Sequence, residues 1–217
     1  MTWEEHYRLY LETRRRPGAY QCLQSARKRV AQNSPEDWQW LIRSLDDNER
    51  KWFVADVFRF QQLPRRMFFP MLRAGVLERN PSLNREFIDP CVRFYGAVRV
   101  CTILLAYLET GSNEEKAGAA NALYWAECPK PGEDISELRN RIRADMLREF
   151  VYNEDLEVRR RIIPQLDLKT EHYPEELHPL IQRAIIIARA HPDEYIRHRV
   201  EIQLGSGGPF LAIPDTN

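Results

Sequence analysis

NEDLEVRRRIIPQL, residues 153–166, returns 38 residues later as HPDEYIRHRVEIQL, residues 191–204. Superposed, the two segments share Asp155/Asp193, Val158/Ile196, Arg159/Arg197, Arg161/Arg199, Ile162/Val200, Gln165/Gln203 and Leu166/Leu204. Each copy is a small turn, an acidic start and an amphipathic helix whose apolar residues recur every four positions on one face. One such unit cannot bury its apolar stripe alone, so copies must stack into a continuous core. Sliding the unit along the chain aligns Lys51, Arg85, Lys116, Arg159 and Arg197, separated by 34, 31, 43 and 38 residues. The expected fold is all-α, with about five stacked antiparallel helix pairs.

Helix signals surround this repeat. Thr2 with Glu5 has the form of a capping box, and the first helix should end at the Arg14, Arg15, Arg16 cluster before Pro17 and Gly18. Residues 19–31 read as a second helix. Ser34-Pro35-Glu36-Asp37 is a strong start, because Ser caps, Pro at the first position loses no needed N–H, and acids suit the positive helix end. That helix carries Trp38, Leu41, Ile42 and Leu45, and its partner spans 49–62 with Val54, Ala55 and Phe58 inward. Pro70 is expected to bend the helix at 65–78. A short helix at 83–88 should precede a long one that opens at Asp89-Pro90 and runs to Gly111. Residues 113–126 and 134–152 are helical, separated by the Pro/Gly-rich linker 128–132. Residues 174–190 form the last helix before the second copy. No stretch alternates as a strand. The organisation expected is an N-terminal helix pair at 1–33, repeats at 34–205 and a flexible tail at 206–217.

Composition narrows the class. Thirty-two basic and thirty-two acidic residues cancel in a chain of 217, which disfavours a nucleic-acid partner, since phosphate affinity rests on Lys/Arg neutralisation. Cys22, Cys91, Cys101 and Cys128 have no CxxC spacing and fall mostly in apolar pattern, so they are expected to be reduced and buried. The charged N-terminus lacks a signal-peptide core, and the longest apolar run, 97–108, is too short to span a bilayer. A cytoplasmic protein without a membrane segment is expected.

EDLEVRRRIIPQL and PDEYIRHRVEIQL resemble the second helix of a HEAT repeat, and FFPML around Pro70 and LHPLI around Pro179 resemble its proline-bearing first helix. The resemblance covers roughly 34–205. It departs in having few alanines, in Pro164 within a second helix, and in a degenerate copy at 80–90. It implies a right-handed α-solenoid and a non-enzymatic adaptor or scaffold that offers a concave surface to a protein or peptide, with no cofactor.

With 100° per residue, Val158, Ile162 and Leu166 point inward, Arg159 lies at the core edge, and Arg160 and Pro164 point away. Arg159 and its equivalents are read as scaffold, pairing with turn acids such as Asp155 and Asp193. The outward row of the second helices holds Trp52 and Asp56, Ala117 and Asn121, Arg160 and Pro164, and His198 and Ile202, flanked by Phe53, Arg161 and Arg199. The expected binding residues are therefore Trp52, Phe53, Asp56, Asn121, Arg160, Arg161, His198 and Arg199. An aromatic residue on a solvent-facing row suggests a contact.

An alternative reading takes Trp52 and Asp56, four apart on one face, as similar to the aromatic/Asp pair of HEAT-like alkylpurine DNA glycosylases. A carboxylate and a π-face both favour developing positive charge. HEAT-like bilin lyases are a third class, with no residue motif here to support it. His172 and His178 lack the i, i+4 spacing of helix-borne metal ligands, so no metal site is expected. Arg139, Arg141, Arg143 and Arg148 read as a solvated helix face.

Overall fold

A computed structural model describes residues 1–14 and 18–205; the anticipated helix stop at Arg15 to Pro17 and the tail from 206 lie outside these. The described residues are all-helical, with twelve α-helices, short 3-10 turns and no strand. They divide into two compact units, Met1–Gly96 and Ala97–Asn217.

The first unit contains α1 (Trp3–Thr13), α2 (Ala19–Arg29), α3 (Pro35–Ser44), α4 (Arg50–Phe58), α5 (Arg65–Leu77) and α6 (Arg85–Tyr95). Its helix starts follow local chemistry. Thr2 and Glu5 form a reciprocal capping box, and Ser34 forms another with Asp37 ahead of Pro35. α1 packs on α2, α3 and α4, and α4 packs in turn on α6. The centre of the α1–α3–α4 contact is aromatic: the Phe53 ring has Trp3 at 6.1 Å, Tyr7 at 5.9 Å, Tyr10 at 5.2 Å and Trp40 at 6.3 Å. The N-terminal helix pair therefore shares a core with residues that follow it.

α6 begins earlier than its sequence suggests and carries Pro90 inside, while Gly96, at φ 85° and ψ 155°, ends it. The anticipated division, a short 83–88 helix and a long one from Asp89, is thus corrected to one helix on each side of Gly96. α5 passes close to α6, since a Cβ added at Gly75 would lie 2.6 Å from Ile88 Cδ1 and 3.2 Å from Phe87 Cβ.

The second unit contains α7 (Ala97–Thr110), α8 (Asn113–Ala126), α9 (Ser136–Tyr152), α10 (Leu156–Ile162), α11 (His178–Arg189) and α12 (Glu194–Gln203). α7, α9 and α11 are successive neighbours, as are α8, α10 and α12. α7 also packs on α8, α9 on α10 and α11 on α12. Val158, Ile162, Ile196 and Val200 are buried, as their spacing predicts. The repeated glutamines bridge consecutive units of the repeat. Gln165 Nε2 donates to the Ala120 carbonyl at 2.7 Å, and Gln203 Nε2 to the Pro164 carbonyl at 2.6 Å.

Three details differ from expectation. α10 stops at Ile162, and Pro164 sits in a 3-10 turn at Ile163–Gln165, because proline has no N–H to extend the α-ladder. Arg159 and Arg197 do not pair with Asp155 and Asp193. Those acids cap their own helices through the Val158 and Ile196 N–H groups. The arginines instead donate to backbone carbonyls just upstream: Arg159 to Phe150 at the end of α9, and Arg197 to His191 and Pro192 in the turn before α12. Cys128 is exposed, whereas Cys22, Cys91 and Cys101 are buried and their thiols are held above the usual pKa by burial.

Candidate functional site

The C-terminal copies place α10 and α12 side by side, and a groove of about 410 Å³ opens there, lined by Glu157, Arg160, Arg161 and Tyr195. Asp155 and Asp193 start the two helices at their N-caps, which sets where each side chain leaves its axis. Tyr195, Arg199 and Ile202 fall at helical spacing on α12, and Tyr195 is 44% exposed.

The arginines of this groove differ in role. Arg160 spans both helices: Nη2 and Nε donate to Asp193 Oδ2 at 2.6 and 3.2 Å, and Nη1 donates to Glu157 Oε1 at 2.9 Å. The bond to Asp193, then that to Glu157, raises the Arg160 pKa, and Arg160 in turn lowers that of Asp193. Arg160 thus ties α10 to the N-cap of α12. Arg161 has a longer, 3.4 Å bond to Glu157. Arg199 stands with its guanidinium 6.0 Å from the Tyr195 ring centroid, and its buried Nε–H has no hydrogen-bond partner among the described residues. Arg161 thus lines the groove beside the exposed Tyr195 ring, and Arg199 stands behind that ring on α12. His198 is half-buried on the same helix.

Other residues expected on the row are placed differently. Phe53 is 0% exposed and belongs to the aromatic core, so its place among contact residues is corrected: α1 lies over that face of α4. Asn121 is 8% exposed, and Ala117 is buried too, because the alanine-rich α8 lets α7 and α10 close over it. Trp52 is half-buried, with its ring 5.3 Å from Phe87 on α6. Asp56 accepts a hydrogen bond from the Tyr10 hydroxyl on α1 at 2.7 Å and lies 3.9 Å from Arg59. Trp52 and Asp56 thus turn to different neighbours.

Sequence reasoning passed over Tyr195. The signal was present, since Tyr195 stands where the first copy has Glu157, and a departure between copies that exchanges a carboxylate for an aromatic ring marks a changed surface.

His191, at the turn into α12, is buried, and its Nδ1 accepts the Asp193 N–H at 3.0 Å, which requires an unprotonated nitrogen. Burial, followed by Arg159, lowers its pKa below the ordinary 6.5; Arg197 and Arg160 act in the same direction and Asp193 opposes them. The unfolded chain therefore takes the proton first. This contribution to stability is complete above about pH 6.5 and is lost as pH falls through the folded-state value. His191→Asn, which keeps a side-chain acceptor, is expected to flatten the decline in urea midpoint between about pH 7 and pH 5.5. A variant slope equal to that of the wild type would contradict this.

Among the described residues, no group of three or more His, Cys, Asp or Glu could hold a metal ion, and no helix is long and apolar enough to cross a membrane. His172 pairs with Asp167, and His178 donates to backbone carbonyls. No known protein family, curated protein or solved structure matches the chain.

Proposed function

We propose that the protein is a HEAT-like repeat adaptor, a right-handed solenoid of about five helix pairs, that binds a protein or peptide segment without catalysing a reaction. The observation that carries this reading is the α10–α12 groove, where Arg161 and the exposed Tyr195 share the lining and the Arg199 guanidinium lies 6.0 Å from the tyrosine ring centroid. Tyrosine and arginine are enriched among the few residues that dominate binding energy at protein interfaces. The glutamine bonds from Gln165 and Gln203 support the repeat, because the same residue in successive copies reaches back to the copy before it. Arg160 has the supporting role of keeping the groove walls in register.

Tyr195→Ala combined with Arg199→Ala should reduce capture of specific partners from a cell extract by about tenfold or more, the expected scale for removing an aromatic/Arg anchor. Arg141→Ala, on α9, should leave capture unchanged. Equal recovery by wild type and the double variant would refute the reading.

A further inference from the structure

In the first unit, the C-terminal end of α4 presents an exposed aromatic ring among arginines. Phe60, just beyond the helix, is 69% exposed. Three guanidinium groups approach its ring: Arg59 at 5.4 Å, Arg27 at 5.8 Å and Arg93 at 5.9 Å from the centroid. Arg27 is held by the Asp56 and Val57 carbonyls at 2.7 and 3.2 Å, and Arg93 by the Arg59 carbonyl at 2.6 Å. Both arginines therefore cap a helix end. Among the described residues, neither has a carboxylate within ion-pair distance, whereas Arg59 pairs with Glu86 at 3.1 Å. Beside them is a cleft of about 190 Å³ that Phe60, Glu86, Asp89 and Arg93 help to line.

Guanidinium groups already fixed by backbone acceptors lose little freedom when they bind again, and each has five N–H donors, more than these bonds use. An anion reaching Arg27 or Arg93 meets a positioned fork, and an apolar group beside it meets the Phe60 face. We infer that this surface docks an acidic peptide segment in which carboxylates flank an aromatic residue. Glu86 and Asp89 are already paired, with Arg59 at 3.1 Å and Arg85 at 2.8 Å, so the carboxylates of the segment are received at Arg27 and Arg93. Two such positions beside one aromatic ring suit a short acidic segment rather than a continuous run of phosphates. The site involves only residues of the first unit, so it stands independently of the α10–α12 groove.

The test is a titration of the whole isotope-labelled protein followed through arginine Nε–Hε and phenylalanine ring resonances. The probe is the peptide acetyl-Glu-Asp-Phe-Asp-Glu-amide; its controls are the same peptide with lysine at each acidic position and a short oligothymidylate. The acidic peptide is expected to shift the Arg27, Arg59, Arg93 and Phe60 signals saturably, while the lysine peptide does not. Phe60→Ala should weaken binding about tenfold, and Phe60→Tyr should stay within about threefold of wild type. Phe60 is mostly exposed, so the thermal midpoint of Phe60→Ala should match wild type, separating lost contact from lost fold. Silence of these signals, unchanged affinity in Phe60→Ala, or a response to oligothymidylate alone would overturn the proposal. The same shifts on concentrating the protein without peptide would assign the surface to a second copy of the chain and overturn it too.

Discussion

Phe53→Ala should remove about 3–5 kcal/mol of stability, the range for deleting a fully buried aromatic side chain. Phe53, on α4, is 0% exposed, and four rings, three from α1 and one from α3, surround it. Its loss leaves a cavity whose walls belong to three helices, so relaxation of any one cannot fill it, and the tilted and edge-on ring contacts vanish with it. A net stability of about 5–15 kcal/mol for a folded chain makes this a large fraction of the total. Trp52→Ala, one residue earlier, should cost clearly less, since Trp52 is half-buried and its described ring contact is with Phe87. Urea unfolding of both variants, followed by far-UV circular dichroism, separates the cases. A loss below about 1 kcal/mol for Phe53→Ala would mean the N-terminal helices do not cover α4, since truncating a buried aromatic side chain costs about 3–5 kcal/mol.

The second large effect is expected at Gly96. Its φ of 85° with ψ of 155° lies in a region essentially reserved for glycine, and its N–H closes α6 on the Val92 carbonyl at 2.9 Å. Gly96→Ala should cost about 1–3 kcal/mol in backbone strain. Gly205→Ala supplies a comparison: its φ is also positive, at 73°, but it lies at the exposed end of α12. Local unfolding there can relieve the strain, so its effect on the urea midpoint should be smaller. A Gly96→Ala midpoint equal to wild type would contradict the assigned geometry.

Gly96 also shows where sequence reading loses resolution. Apolar residues recur three apart at Val92, Tyr95 and Val98, so periodicity alone passes straight through the break. Only the dihedral angles reveal that α6 ends there and α7 starts afresh. Pro90 misleads in the opposite direction. Asp-Pro is a good helix opening, yet here the first turn forms from Arg85 onward, and proline's missing donor leaves the Glu86 carbonyl outside the ladder.

The capping boxes at Thr2 and Ser34, and the buried stripe of Val158, Ile162, Ile196 and Val200, depend on neighbours within one helix and were readable for that reason. Phe53 was not. Trp52 and Phe53 are separated by one residue, about 100° of helix rotation, and which one faces inward is decided by α1 lying across α4. The arginines of the repeat were half readable: periodicity put Arg159 on the scaffold, but its carbonyl partners at the end of α9 become visible only once the chain turns back. Arg160 is the converse. Its outward direction suggested a contact, whereas a bond to an acid 33 residues away, Asp193, makes it a clamp. The proposed binding surface, Arg161 and Tyr195 with Arg199 behind the ring, is narrower than the row the pattern outlined.

The most direct measurement is photo-crosslinking in cells, with benzoylphenylalanine introduced at position 195 on α12 or at position 141 on α9. A defined adduct from position 195 that disappears when Arg161 and Arg199 are both changed to alanine, with none from position 141, is the predicted result. Position 195 giving no adduct, or the same adducts as position 141, would contradict the assignment of the α10–α12 groove as the binding surface.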